Sequence, residues 1–193
     1  EVPVVARGAG TGLSAGAMPH KEGVVLSLAK FNRILDIDPL ARTALLQPGV
    51  RNLAISEEVA QYGLYYGPDP SSQIACTIGG NVAENSGGVH CLKYGLTTNN
   101  VPGIDLVLMS GEVVRFGGKQ LDSGGYDLLG VATGSEGLLG VITEVTVRIL
   151  QKPETARALL LGFPSNKSAG DCVAAIIGAG IIPRGMEMMD KPA

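Results

Sequence analysis

Glycine stands at every second position of Gly8-Ala9-Gly10-Thr11-Gly12, directly after the strand-forming pair Val4-Val5. With no bulky side chain on either side, the backbone there is free to turn. Glycine admits positive φ, and successive N–H groups of such a turn converge into a concave nest whose natural guest is a phosphate or pyrophosphate. The run is no G-x-G-x-x-G fingerprint, because Leu13 stands where the third glycine belongs and no amphipathic helix follows; a Walker lysine is absent too. Taken alone, a plain glycine-rich β-turn accounts for it equally well.

Composition narrows the choice. The 28 glycines among 193 residues have no fixed period; against a usual share of about 7% they point to close approach of backbone to a ligand. Hydrophobic content of 45% supports a real core. Aromatic content of 4% without tryptophan argues against a base-stacking platform, and a net charge of −3 gives no electrostatic footprint for nucleic acid. Cys76, Cys91 and Cys172 form no C-x-x-C pair, so neither a zinc site nor a disulfide framework is indicated and a reducing compartment fits. No apolar run approaches the roughly 18 residues of a transmembrane segment, and no secretory signal is visible. The chain opens on Glu1, one step from a strand, and reads as an excised piece of a longer protein.

Residues 23–28 and 34–38 read as strands, and 44–50 as a third stopped by Pro48-Gly49. Asn52 is expected to cap a helix from Leu53 to Tyr62 that ends at Gly63. Residues 64–70 read as a loop, and 77–83 as the opening of a small-residue helix whose N-terminus faces a ligand. Residues 104–109 and 112–116 form a hairpin across Ser110-Gly111, and Tyr126-Asp127-Leu128-Leu129 makes one helical turn. From Gly140 to Leu150 the alternation sets Val141, Thr143, Val145, Val147 and Ile149 on one face of a half-exposed strand. Beyond Pro153 a strand over 158–163 and a helix from Asn166 or Ser168 to Ala179 open a second domain. The fold class is α+β.

Three later stretches accompany the opening loop: Pro68-Asp69-Pro70-Ser71-Ser72; Thr77-Ile78-Gly79-Gly80-Asn81-Val82-Ala83-Glu84-Asn85-Ser86-Gly87-Gly88; and Gly134-Ser135-Glu136-Gly137-Leu138-Leu139-Gly140-Val141-Ile142-Thr143. In this order the four motifs closely resemble the PCMH-type FAD-binding domain of the vanillyl-alcohol oxidase and p-cresol methylhydroxylase superfamily. Within it the wording is most similar to the branch of glycolate oxidase catalytic subunits, D-lactate dehydrogenases and D-2-hydroxyglutarate dehydrogenases. The resemblance runs from Val2 to about Leu150. It implies a two-lobed α+β FAD-binding domain over 1–152, incomplete at its N-terminus, and the beginning of a C-terminal domain over 153–193.

The resemblance places the cofactor's pyrophosphate against Arg7, Gly8, Ala9, Gly10, Thr11, Gly12 and Leu13. Arg7 either pairs with a phosphate or makes a structural salt bridge; Thr11 and Ser14 either contact the ligand or stabilise the turn. Pro68, Asp69, Ser72, Thr77, Gly79, Gly80, Ala83, Asn85, Gly87 and Gly88 match positions around the flavin, where a planar ring favours small and hydrogen-bonding residues over bulk. Asn85 alternatively caps a helix. Gly137, Val141 and Ile142 match the closing motif beside the adenine, Leu138 and Leu139 are expected in the core, and Glu136 either accepts ribose hydroxyls or forms an ion pair. Because this branch holds FAD non-covalently, His90 and Cys91 are expected to be structural, and His20 carries no signal.

No Ser-His-Asp set, paired carboxylates or metal-ligand cluster is visible. In the family the substrate carboxylate, catalytic histidine and any metal are handled mainly by the C-terminal domain. The expected activity is oxidation of a small 2-hydroxy acid, glycolate or D-lactate, with no catalytic residue in this chain. Electrons would leave to an iron–sulfur or second flavin subunit, or to the quinone pool. The location implied is cytoplasmic, associated with the inner face of a membrane through partners. Two alternatives are a non-catalytic flavin-binding subunit and a flavoenzyme of the alkyl-dihydroxyacetone-phosphate synthase type; histidines and an acidic residue beyond Ala193 would mark the dehydrogenase.

Overall fold

The computed structural model describes residues 2–119 and 124–190. Val4–Arg7 (β1) and Val24–Ser27 (β2) pair in parallel, with Val4 opposite Val24 and Arg7 opposite Ser27. Parallel neighbours cannot be joined by a two-residue hairpin, so a long connection has to leave the C-terminal end of β1. That connection begins with the glycine-rich run.

Ile34–Asp38 (β3), Thr43–Leu46 (β4), Leu64–Tyr66 (β5), Gly103–Val107 (β6), Val113–Gly117 (β7) and Val141–Gln151 (β8) form the other sheet, in the order β3-β4-β8-β6-β7, with β5 paired to the end of β8. All its pairings are antiparallel. β8 is central: buried and half-buried residues alternate along it except across Thr143 and Glu144, and both its edges are paired while one face packs inward. Thr143 is an extra residue there: Asp105 pairs with Glu144, but Leu106 pairs with Ile142. This bulge reverses the parity expected from simple alternation. Ile142 therefore joins Val145, Val147 and Ile149 in the core, and Val141 is only half-buried.

Asn52–Val59 (α1) buries Asn52, Ile55 and Val59, a three-and-four spacing that makes one helical face. Asn52 is the first helical residue, and its side chain does not cap the helix. The chain tightens through a 3₁₀ turn at Ala60–Tyr62 and reverses at Gly63. Ile78–Glu84 (α2) buries Ile78 and Val82 and lies against β8. Cys91–Tyr94 (α3), Leu128–Ala132 (α4) and Asn166–Gly178 (α5) complete the α-helices among the described residues. Asp127 caps α4 by accepting from Gly130 N at 2.8 Å, and Ser165 with Ser168 forms a capping box on α5. The core is assembled from α1, α2 and the antiparallel sheet, with Leu46, Ile55, Val59, Ile78, Val82 and Val145 fully enclosed.

Three further expectations are corrected. Residues 158–163 form no strand; Leu159 and Leu160 are 85% and 92% exposed, and no neighbouring strand supplies a ladder. Leu138 and Leu139 are exposed rather than core, since the loop carrying them runs over the surface and Ile142 fills the interior. Residues 64–66 are a strand, not a loop, because Tyr65 pairs opposite Leu150 on β8.

Candidate functional site

A cleft of about 690 Å³ is bounded by the loop after β1, the 69–73 turn, α2 and the 136–142 segment. Its size suits an extended small molecule. Of the residues singled out in the sequence, Arg7 through Ser14, Asp69, Ser72, Thr77, Gly79, Gly80, Ala83, Gly87, Gly88, Glu136, Gly137 and Ile142 line it. Pro68, Asn85 and Val141 do not. The Pro68 carbonyl accepts from Asn52 Nδ2 at 3.1 Å. Asn85 ends α2 in the left-handed conformation at φ 49°, and its Oδ1 accepts from Thr98 N at 2.9 Å. Val141 is displaced by the bulge at Thr143.

The glycines of the loop have specific reasons to be glycine. Gly10 has φ +71°, and a Cβ there would lie 2.9 Å from Arg7 Nη2. At Gly8 a Cβ would collide with Thr77 Oγ1. That hydroxyl is buried and has no hydrogen-bond partner among the described residues. An unspent buried polar atom facing a bare backbone is what a ligand-receiving surface presents before its ligand binds. Arg7 makes no salt bridge among the described residues, so its guanidinium remains available to an anion.

The carboxylates of the cleft are differently placed. Asp69 pairs with His90 Nδ1 at 2.5 Å, and its Oδ1 also accepts from His90 N. His90 does not line the cleft, and Cys91 Sγ accepts from Gly88 N. Glu136 is exposed at φ 54°, a conformation pinned by its N–H to the Ala83 carbonyl at 2.9 Å. Glu84, which sequence reasoning did not select, lines the cleft and accepts from Ser14 Oγ at 3.2 Å. The signal was available, since Glu84 is the one acidic residue within the quoted stretch from Thr77 to Gly88.

Beneath the cleft lies a chain of buried amides. Asn52 Nδ2 donates to Asn81 Oδ1, and Asn81 Nδ2 reaches Ser86 Oγ and Cys76 Sγ, each at 3.4 Å. The network ties α1, α2 and the 68–72 and 86–88 loops into one wall. Beside the 88–95 loop, the Arg184 guanidinium lies over the rings of Tyr65 and Tyr94 at 5.5 and 5.8 Å. Burial pushes the Tyr65 hydroxyl above its ordinary range, and the neighbouring Tyr94 adds to the shift. No group of three or more His, Cys, Asp or Glu side chains among the described residues is placed to hold a metal.

These features fit FAD. An unpaired arginine and a glycine loop suit its phosphates, and the unspent Thr77 hydroxyl and small residues of α2 suit close contact with the remainder.

Comparison with known proteins agrees. A family model described as FAD binding domain matches residues 1–117, and one described as FAD linked oxidases, C-terminal domain, matches residues 152–193. Glycolate oxidase subunit GlcD of Escherichia coli (strain K12) is 62% identical over 190 residues, covering 98% of this chain and 38% of that protein. D-lactate dehydrogenase of Archaeoglobus fulgidus is 39% identical over 193 residues, covering 100% of this chain and 43% of its own. The chain thus spans about two fifths of these relatives. A solved structure of alkyldihydroxyacetonephosphate synthase superposes with a TM-score of 0.80 at 25% identity, covering 95% of this chain and 34% of that one. The α+β architecture, the glycine cradle and these matches together show that the chain belongs to the FAD-binding domain family of FAD-linked oxidases.

Proposed function

We propose that this chain is the flavin-holding portion of an enzyme that oxidises a small 2-hydroxy acid, glycolate or D-lactate, to the 2-oxo acid. The observation that carries the reading is the 62% identity to a glycolate oxidase subunit across 98% of the chain. FAD, when bound, would supply an electrophilic acceptor for hydride from the hydroxyl-bearing carbon. The chain's own residues would hold and shield: Arg7 and the 8–13 backbone would receive the phosphates, with the unpartnered Thr77 hydroxyl buried beneath Gly8. Gly79, Gly87 and Gly88 are held bare by Pro48, Cys91 and Asp69 against them, and with Gly80 their backbone would wall the ring system, Glu136, Gly137 and Ile142 lying toward the nucleotide end. Binding is non-covalent, in keeping with His90 being paired to Asp69.

We assign residues 1–152 to the FAD-binding domain and 153–193 to the start of a C-terminal substrate domain, since β8 ends at Gln151 and no described strand follows it. The relatives named as subunits support an electron-accepting partner, for which an iron–sulfur or second flavin subunit is the best chemical match. No helix among the described residues is long and apolar enough to cross a membrane. We place the protein in the cytoplasm, held at the inner membrane face by its partner.

The test is to purify the full-length protein, denature it, identify the released nucleotide by chromatography, and assay glycolate and D-lactate with an artificial acceptor dye. FAD together with turnover of one acid is expected. FMN, or no flavin in folded protein, overturns the cofactor reading; FAD without turnover of either acid overturns the substrate class.

A further inference from the structure

We propose that Glu84 is a positioning residue for the glycine-rich loop, and that its contact with Ser14 holds the loop in the shape that receives the cofactor's phosphates. The proposal rests on reading the cleft as the FAD site. Between Gly8 and Ser14, the Ser14 Oγ–Glu84 Oε2 bond of 3.2 Å is the one hydrogen bond that joins the loop to another element among the described residues. The loop is otherwise open to solvent, with Leu13 fully exposed. Such a segment samples many shapes unless something outside it fixes one, and a fixed shape spares the ligand that ordering cost.

α2 meets the loop at both ends. Thr77, just before the helix, faces Gly8, while Glu84, its last residue, faces Gly12 and Ser14. At about 1.5 Å per residue the helix is a rigid template roughly 10 Å long. Gly12 is bare where the carboxylate approaches: a Cβ there would lie 2.9 Å from Glu84 Oε1. Arg7 touches the loop at Gly10, so the run is threaded between a cation and an anion.

The charge of Glu84 is the part that makes no sense as binding machinery. A carboxylate beside a phosphate site repels the phosphate, so its benefit must lie in the acceptor oxygen it gives Ser14. Charge and acceptor are separable by substitution. Glu84→Gln keeps an acceptor and removes the charge; Glu84→Ala removes both.

The experiment titrates FAD into the apo form of the full-length protein, following flavin fluorescence, for wild type, Glu84→Gln, Glu84→Ala, Ser14→Ala and the double alanine variant. Circular dichroism melts of each apo form accompany the titrations. Glu84→Ala and Ser14→Ala should each raise Kd about threefold to tenfold, the loss of one hydrogen bond whose value lies in the acceptor and not the charge. The double variant should be no worse than either single one, and Glu84→Gln should bind as tightly as wild type or more tightly. Ser14→Ala changes an exposed loop side chain, so it reads the contact even if Glu84→Ala unfolds. Wild-type Kd in Ser14→Ala overturns the proposal, as does Glu84→Gln as damaging as Glu84→Ala, or losses that multiply in the double variant. Wild-type protein that holds no FAD overturns the reading of the cleft, and the proposal falls with it.

Discussion

Asn52 and Asn81 join side chain to side chain across the floor of the cleft, Nδ2 to Oδ1 at 3.0 Å, with both residues almost wholly buried. The second proton of Asn52 Nδ2 goes to the Pro68 carbonyl at 3.1 Å. One amide therefore fixes α1, α2 and the 68–72 turn relative to one another.

Removing that amide leaves the buried Pro68 carbonyl without its donor and Asn81 Oδ1 with only the weak Cys76 thiol, 3.8 Å away. Asn52→Ala should destabilise the fold by about 2–4 kcal/mol, from roughly 1–3 kcal/mol for each unsatisfied group together with relaxation. Urea unfolding of the apo-protein measures it; a loss under about 0.5 kcal/mol would mean that solvent satisfies both carbonyls.

Gly10 has the left-handed φ and the Arg7 guanidinium against its bare face. Gly10→Leu should abolish FAD binding, because the side chain displaces Arg7, strains the backbone and fills the phosphate space. The readout is flavin absorbance of the purified protein. A yellow variant at wild-type occupancy would move the phosphate site elsewhere.

Tyr66 is buried, and its Oη has no hydrogen-bond partner among the described residues. Burial pushes its ionisation above the ordinary tyrosine range. A folded-state pKa above the unfolded value contributes stability that is complete below about pH 10 and fades as the pH climbs toward the folded value. Tyr66→Phe should therefore equal or exceed wild type in melting temperature at pH 7, and should remove one component of the alkaline loss above about pH 10. Melts at several pH values decide it; a clear drop at pH 7 would reveal a partner for the hydroxyl.

The 193-residue chain alone, even loaded with FAD, should turn over neither glycolate nor D-lactate usefully. His90 is engaged by Asp69, and His20 Nδ1 accepts from Glu22 N on the exposed surface, so no described histidine stands free in the cleft as a base. Absence of a positioned base and carboxylate clamp costs on the order of ten thousandfold. Stopped-flow bleaching of the flavin by either acid at the full-length rate would place the catalytic groups within this chain.

What could be read beforehand divides along physical lines. Period-two and helical patterns located β3, α1, the β6–β7 hairpin, β8 and α5, because each is defined by its own residues. The glycine loop was legible for the same reason. The Thr143 bulge was not, since register belongs to the partner strand β6 as much as to β8. β5 is three residues long and exists only because β8 runs past it, whereas apolar residues 158–163 had no partner and made no strand. Glu84 and Asn52 were overlooked or misassigned because their roles depend on Ser14 and on Asn81, 70 and 29 positions away.

The extra residue at Thr143 also bears on how the chain can change in length. Upstream of it β8 presents Ile142 to the cleft, and downstream it presents Val145, Val147 and Ile149 to the interior, with one half-period of phase between them. Deleting Thr143 would remove the bulge and leave Ile142 opposite Leu106 in an unbroken alternation, whereas keeping Thr143 but pairing it regularly would turn Ile142 outward. A strand with the extra residue and one without it would therefore wall the cleft alike, so a one-residue gap at this point marks the loss of a bulge and not a change of the site.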